Sequence, residues 1–244
     1  MTYCLGILLP QGLVLASDSR SNAGVDQVVR VSKLNLMPAM KDRVIAIQSS
    51  GNLATTQAVV TRLHEAFGSG DAARDLSLAR TMFAAAAIVG EELRTHITAD
   101  RKFVDPYGDP AGNFLISGQI VGEPPRLFQV YAAGNFVEAT PRSPFLQIGE
   151  TKYGKPILDR SLTPECPLDE AAKLALISFD ATLRSNLSVG LPIDLLAYRA
   201  DSFEAAPVTI EEEDPYWNAL RKAYSEGLTA LVAGLPAPPA VWGV

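Results

Sequence analysis

The fold is decided by the N-terminal stretch Met-Thr-Tyr-Cys-Leu-Gly-Ile-Leu-Leu-Pro-Gln-Gly-Leu-Val-Leu-Ala-Ser-Asp, residues 1–18. Thr2–Leu9 is apolar and predicts a strand, Pro10-Gln11-Gly12 predicts a tight turn, and Leu13–Asp18 predicts a second strand. A hairpin centred on this turn returns Asp18 to the end where Thr2 lies. The stretch therefore predicts a carboxylate beside the N-terminus.

Thr2 has the chemistry of a nucleophile if Met1 is removed, and the small side chain at position 2 favours that removal. An N-terminal threonine carries a hydroxyl that can attack a carbonyl and an α-amine that can take the proton. The unperturbed pKa of such an amine is about 7.7–8.0, so much less of it is protonated at neutral pH than of a lysine. A threonine that only happens to begin the chain is the alternative.

Lys33 adds a positive charge that such a site needs. It follows Val28-Val29-Arg30-Val31, which predicts a strand. A lysine beside Thr2 would lower the pKa of both the hydroxyl and the amine, and Asp18 would keep that lysine charged and oriented. Taken singly, Asp18 is explained as a turn residue and Lys33 as a solvated strand residue. Their spacing together with Thr2 favours a catalytic group.

Three phrases show a family resemblance. Gly-Leu-Val-Leu-Ala-Ser-Asp-Ser-Arg (residues 12–20), Asn-Ala-Gly-Val-Asp (22–26) and Gly-Glu-Thr-Lys-Tyr-Gly-Lys-Pro-Ile (149–157) resemble the proteasome-type β-subunits of the N-terminal nucleophile hydrolases. Among these they are most similar to the bacterial Anbu, or ancestral β-subunit, subgroup. The resemblance runs from Thr2 to about Arg199. It implies a four-layer αββα sandwich, no cofactor, a peptide or amide substrate, and a ring or short open spiral of identical subunits.

The resemblance also implies further site residues. It places the oxyanion glycine at Gly51, where a backbone N–H donor is commonly worth about 3–4 kcal/mol; a plain strand-to-helix turn is the alternative. Ser188 matches the last serine of the proteasomal set, although turn chemistry also explains it. Ser185 replaces the aspartate, and Glu150 or Thr151 stands in place of the first serine. Without that aspartate we expect a weaker hold on the threonine amine and lower activity.

Bulk composition excludes several classes. The chain has 244 residues and a net charge of −6 without a basic cluster, which argues against nucleic acid as a partner. Cys4 and Cys166 form no disulfide framework, and His64 and His96 lack metal-ligand spacing. We expect no signal peptide, because the N-terminal stretch lacks a basic region and Pro10, Asp18 and Arg20 interrupt its apolar run. We expect no membrane-spanning segment either, since the longest apolar run, Phe83–Gly90, is too short. We expect a cytoplasmic protein with no metal.

Strand and helix blocks are segregated along the chain, which argues against a parallel βαβ sheet and for an α+β sandwich of two antiparallel sheets. We expect a single domain over residues 1–244, with a helical extension at about 211–244. In detail, Val28–Leu36 predicts one strand, Ser49–Asn52 breaks the strand before it, and Leu76–Asp100 predicts one long helix.

The sequence thus favours a self-assembling threonine-type amide or peptide hydrolase. Two alternatives remain open at this point. The first is a weakly active or inactive assembly that acts as a scaffold or binding protein. The second is an amidase of the same class that acts on small amides. No residue in the sequence decides between small amides and peptides as the substrate.

Overall fold

The computed structural model describes residues 2–23 and 27–239. Met1 and residues 24–26 of the Asn-Ala-Gly-Val-Asp phrase lie outside this range. The chain divides into two compact units, the first ending at Glu211 and the second beginning at Glu212. The second unit contains one 19-residue helix, whose start is capped by Asp214. The expectation of a single domain stays a prediction.

In the residues described, the first unit contains two five-stranded antiparallel sheets, a two-stranded antiparallel sheet and four α-helices. Its strands are β1 (Tyr3–Leu9), β2 (Gly12–Asp18), β3 (Arg20–Ala23), β4 (Gln27–Arg30), β5 (Leu34–Leu36), β6 (Arg43–Gly51), β7 (Gly112–Ile120), β8 (Arg126–Val130), β9 (Phe136–Glu138), β10 (Phe145–Gly149), β11 (Ile193–Arg199) and β12 (Val208–Ile210). Its helices are α1 (Leu53–Ala66), α2 (Met82–Val104), α3 (Lys155–Ser161) and α4 (Leu168–Ser185), and the helix of the second unit is α5 (Pro215–Ala233).

The strand orders are β10-β1-β2-β11-β12 in the first sheet and β5-β6-β7-β8-β9 in the second. Apolar side chains of both sheets, such as Cys4, Leu15, Leu115 and Leu127, form one buried cluster between them. Helices α1 and α2 pack on the outer face of the second sheet, and α4 packs on the first. The predicted αββα sandwich is confirmed.

The predicted N-terminal hairpin is also confirmed. Strands β1 and β2 pair with Cys4 opposite Ser17, so Thr2 and Asp18 lie at the same end. Both strands are almost fully buried, which explains why their sequences are apolar on both faces. The hairpin lies inside the first sheet, between β10 and β11, and this fixes the position of the chain's N-terminal end.

Three boundaries differ from the sequence prediction. The strand expected at 28–36 is two strands, because β4 pairs with β3 while β5 pairs with β6. Strand β6 is not broken at Ser49 but continues to Gly51, since β7 pairs with it over that whole length. Helix α2 begins at Met82 rather than at residue 76, because the Thr81 side chain caps it by accepting from the Ala84 N–H. Within the residues described, no helix has the length and hydropathy needed to cross a membrane.

The loop before α2 contains a buried carboxylate that gives a pH-dependent prediction. Asp75 accepts hydrogen bonds from the backbone N–H groups of Gly68, Gly70 and Ser77, each at 2.8 Å. Burial alone would raise the pKa of Asp75, but these donors outweigh it and lower that pKa to about 2. The carboxylate therefore stabilises the fold above the ordinary aspartate pKa of about 3.9, and its contribution is lost as the pH falls through about 2.

We expect Asp75→Asn to lower the free energy of unfolding by roughly 1–3 kcal/mol at pH 7, because the donors lose a charged acceptor. Urea titrations of both proteins between pH 7 and pH 2 measure this difference, which should shrink as the pH drops below about 4. Asp71→Asn is the control, since Asp71 is exposed in the same loop. If the difference in unfolding free energy between Asp75→Asn and the unchanged protein stays constant down to pH 2, the stabilising role of the Asp75 charge would be contradicted.

Candidate active site

A cavity of about 570 Å³ opens where the N-terminal hairpin meets the second sheet. Thr2, Lys33 and Gly51 line it, although they are far apart in sequence. Its other lining residues are Ser21, Val29, Ser49, Ser50, Leu53, Thr56, Asn113 and Gly149. Apart from Lys33 this lining is uncharged. Three of the five predicted site residues therefore share one cavity.

Asp18 and Lys33 form a buried ion pair next to Thr2. The Lys33 Nζ lies 2.7 Å from Asp18 Oδ1, and the two side chains are 4% and 0% exposed. The same Oδ1 accepts the backbone N–H of Tyr3 at 2.9 Å, and that N–H belongs to the peptide bond that Thr2 forms. Lys33 Nζ also donates to the Arg20 carbonyl at 2.5 Å. These bonds fix the ammonium group beside the N-terminal strand.

The break between β4 and β5 explains why Lys33 can reach this position. It lies in the three residues that separate the two strands, so its side chain is not committed to either sheet face. Burial raises the pKa of Asp18, while the neighbouring Lys33 ammonium and its hydrogen bond act in the opposite direction. The Lys33 charge therefore offsets part of the free-energy cost of burying the charged Asp18 side chain.

Gly51 occupies a backbone conformation that only glycine adopts readily. Its φ is +109°, and a Cβ there would lie 2.5 Å from the Ala111 carbonyl oxygen. Asn52 follows as the N-cap of α1, accepting from the Thr55 N–H. Gly51 is therefore a strand-to-helix turn that also lines the cavity. Its role as an oxyanion donor stays a prediction.

Ser188 is not among the residues that line the cavity. It lies in the turn after α4, where its backbone N–H donates to Asn186 Oδ1 at 2.9 Å. Ser185, which the resemblance aligns with the proteasomal aspartate, is exposed at the end of α4. The side chain of Glu150, by contrast, is only 5% exposed, and its Oε2 accepts from Asn186 Nδ2 at 2.9 Å.

The Glu150–Asn186 contact is the main feature that the sequence did not reveal. The backbone N–H of Glu150 also donates to the Thr2 carbonyl at 2.7 Å, which places this residue directly beside the nucleophile candidate. The sequence offered one signal, the departure from the family pattern at 149–151. Nothing in it indicated Asn186 as the partner. Within the described ranges, no group of three or more His, Cys, Asp or Glu side chains could hold a metal ion.

Comparison with solved structures identifies the family. Anbu (ancestral beta-subunit) from Yersinia bercovieri is 45% identical, with a TM-score of 0.91 over 97% of this chain and 98% of that chain. The helical assembly of the Anbu complex from Pseudomonas aeruginosa gives 42% identity and a TM-score of 0.93, over 98% of this chain and 99% of that one. The chain belongs to the Anbu family of proteasome-type β-subunits.

Another Anbu protein, a Gly-1 mutant from Hyphomicrobium sp. strain MC1, is 44% identical with a TM-score of 0.90, covering 98% of this chain and 100% of that chain. Coverage of this extent means that the likeness continues beyond Arg199, where the sequence phrases end. A scan against protein-family models and a search of curated proteins found no match. The Anbu proteins share the N-terminal nucleophile fold, as the two sheets and their helices indicated.

Proposed function

We propose that this Anbu protein is a threonine-type amide or peptide hydrolase whose nucleophile is Thr2 after loss of Met1. The observation that carries the proposal is the buried Asp18–Lys33 pair, which the Tyr3 N–H joins to the N-terminal strand in the wall of a cavity. A buried ion pair is expensive to maintain and is weak evidence for stability alone. A charged pair at a cavity wall is more typical of a functional site.

The proposed reaction needs only groups of this chain and water. The Thr2 hydroxyl attacks the substrate carbonyl carbon as its proton passes to the Thr2 amine, and the carbonyl electron pair moves onto oxygen. The Gly51 N–H donates to that oxyanion, and the Lys33 ammonium favours the developing alkoxide. The tetrahedral intermediate collapses as the C–N bond breaks and the departing amine takes the proton. Water then attacks the acyl carbon, the bond from that carbon to the Thr2 oxygen breaks, the acyl group leaves as a carboxylic acid, and a proton of the water restores the Thr2 hydroxyl.

Thr2→Ala is expected to reduce acylation by an electrophilic β-lactone by at least roughly a hundredfold. The measurement starts from protein treated with methionine aminopeptidase, whose intact mass must be short by one methionine. Mass spectrometry of the N-terminal peptide then locates the adduct, and a panel of peptide and acyl-amide substrates measures turnover. Thr2→Ser is the matched control, because it keeps a hydroxyl at the same position.

Equal labelling of Thr2→Ala and the unchanged protein would rule out Thr2 as the nucleophile. Turnover of acyl amides without turnover of peptides would assign the chain to small-amide hydrolysis. A protein that assembles fully but neither labels at Thr2 nor turns over any substrate would support the second candidate, a scaffold. The observation favouring that candidate is Ser185, an exposed hydroxyl where the family motif has an aspartate.

The proposal also covers assembly and location. The protein is proposed to form an assembly of identical subunits in the cytoplasm, and to bind neither nucleic acid nor membrane. Support for self-assembly comes from the Pseudomonas aeruginosa relative, whose structure is described as a helical assembly of the Anbu complex. The uncharged cavity lining around Lys33 supports a neutral amide as substrate. Since no cofactor enters the proposed steps, the protein is expected to act without one.

A further inference from the structure

The buried carboxylate of Glu150 has no role in the reaction as written above, yet it lies beside the residue that performs it. Tyr3 pairs with Gly149 in the β1–β10 ladder, and the next bond of that ladder runs from the Glu150 N–H to the Thr2 carbonyl at 2.7 Å. The backbone of Glu150 therefore lies beside that of Thr2, just beyond the last pair of the ladder.

The Glu150 side chain is held in place from the end of α4. Asn186 Nδ2 donates to Glu150 Oε2 at 2.9 Å, and Asn186 Oδ1 accepts the Ser188 N–H at 2.9 Å. The second oxygen, Oε1, lies 3.6 Å from Lys152 Nζ, but that lysine side chain is 71% exposed. A solvent-exposed lysine contributes little electrostatic energy. The charge of Glu150 thus remains available to a closer cation.

Removal of Met1 creates such a cation, because the new α-amine is protonated in part at neutral pH and is fully protonated when it has accepted the hydroxyl proton. We propose that Glu150, oriented by Asn186, is the positioning residue for the Thr2 α-amine and stabilises its ammonium form. It supplies from the end of β10 the carboxylate that Ser185 cannot supply from α4. This inference rests on the proposed function of Thr2.

The charged groups around the amine set the direction of the expected effect. Lys33 lines the cavity together with Thr2 and is paired with Asp18, while Lys152 lies near Glu150. The Arg20 carbonyl accepts from the Lys33 ammonium, and the Arg20 guanidinium donates to the Leu187 carbonyl. Glu150 is the carboxylate among these that has no buried cationic partner. Neutralising it leaves a surplus of positive charge, which disfavours the ammonium form.

The test is competitive acetylation of the N-terminal amine with acetic anhydride between pH 5 and pH 10, read by mass spectrometry of the N-terminal peptide. It uses full-length protein freed of Met1 by methionine aminopeptidase. We expect the midpoint of amine reactivity in Glu150→Gln to fall by about one pH unit. Asn186→Ala should move it in the same direction by less, because it frees the carboxylate without removing it. Glu170→Gln, at an exposed ion pair on α4, should leave it unchanged.

The same proteins are labelled with the β-lactone across this pH range, and the labelling profile of Glu150→Gln should shift with its amine. Identical midpoints in Glu150→Gln, Asn186→Ala and the unchanged protein, all folded by circular dichroism, would overturn the assignment of Glu150. A midpoint shift without any labelling of Thr2 would instead uphold Glu150 and overturn the hydrolase function. Different results would therefore contradict the positioning role of Glu150 and the hydrolase function of Thr2.

Discussion

Replacing Lys33 by methionine is expected to lower the free energy of unfolding by about 3–5 kcal/mol and to abolish acylation of Thr2. Methionine has a similar length but no charge, so the substitution leaves the fully buried Asp18 carboxylate without its 2.7 Å partner. The Thr2 alkoxide would also lose the Lys33 charge that favours its formation in the proposed reaction. Urea unfolding measures the first effect, and β-lactone labelling measures the second.

The stability loss should depend on pH in a defined direction. Burial raises the pKa of Asp18, and the Lys33 charge opposes that rise; without the lysine, the folded-state pKa of Asp18 moves further up. A carboxyl group whose pKa is raised on folding destabilises the fold as the pH increases from its unfolded value of about 3.9 through its folded value. The deficit of Lys33→Met should therefore be smaller at pH 5 than at pH 8.

Two variants separate the structural role of Lys33 from its chemical role. Lys155→Met removes an ion pair of the same length, 2.7 Å, but its two side chains are 52% and 47% exposed, so the change should be within about 1 kcal/mol. The double variant Asp18→Asn/Lys33→Met should regain much of the lost stability, because no unpaired charge remains, yet stay unreactive. Reactivity in the double variant would contradict a chemical role for Lys33.

The sequence predicted those parts of the fold and site that depend on short-range patterns. A turn between two apolar runs is enough to place Asp18 beside Thr2, and the hydrogen bond from the Tyr3 N–H to Asp18 confirms that placement. The order of strand and helix blocks likewise gave the sandwich. The position of Lys33 in the same cavity as Thr2 agrees with the prediction made from its strand signal and its spacing to Thr2 and Asp18.

The strand boundaries and the side-chain contacts that were not predicted depend on which strands pair in the folded chain. Local sequence patterns do not contain that information. Residues 28–36 appear continuous because five of them are valine or leucine, yet the chain changes partner from β3 to β6 between Arg30 and Leu34. Ser49 and Ser50 have weak strand propensity, but β7 pairs with both. Glu150 and Asn186 are 36 positions apart on different elements, so their contact exists only in the folded chain.

Gly51→Ala is expected to reduce acylation of Thr2 by about a hundredfold or more, because the proposed oxyanion donor would move. The new methyl group would lie 2.5 Å from the Ala111 carbonyl oxygen and 2.9 Å from Gly112 Cα. Both are backbone atoms of the neighbouring β7 segment, so neither can rotate away. The end of β6 must shift instead, and a φ of +109° adds roughly 1–3 kcal/mol of strain for a residue with a Cβ.

Gly122→Ala separates displacement at the cavity from backbone strain alone. Gly122 has a φ of +92°, but a Cβ there meets no atom within 4 Å, and it lies in the turn between β7 and β8. Both variants should lose stability in urea, Gly51→Ala by more, while only Gly51→Ala should lose reactivity. Labelling of Gly51→Ala at the rate of Gly122→Ala would mean that the Gly51 N–H does not stabilise the oxyanion. The donor would then have to be sought among the other backbone groups of the cavity wall.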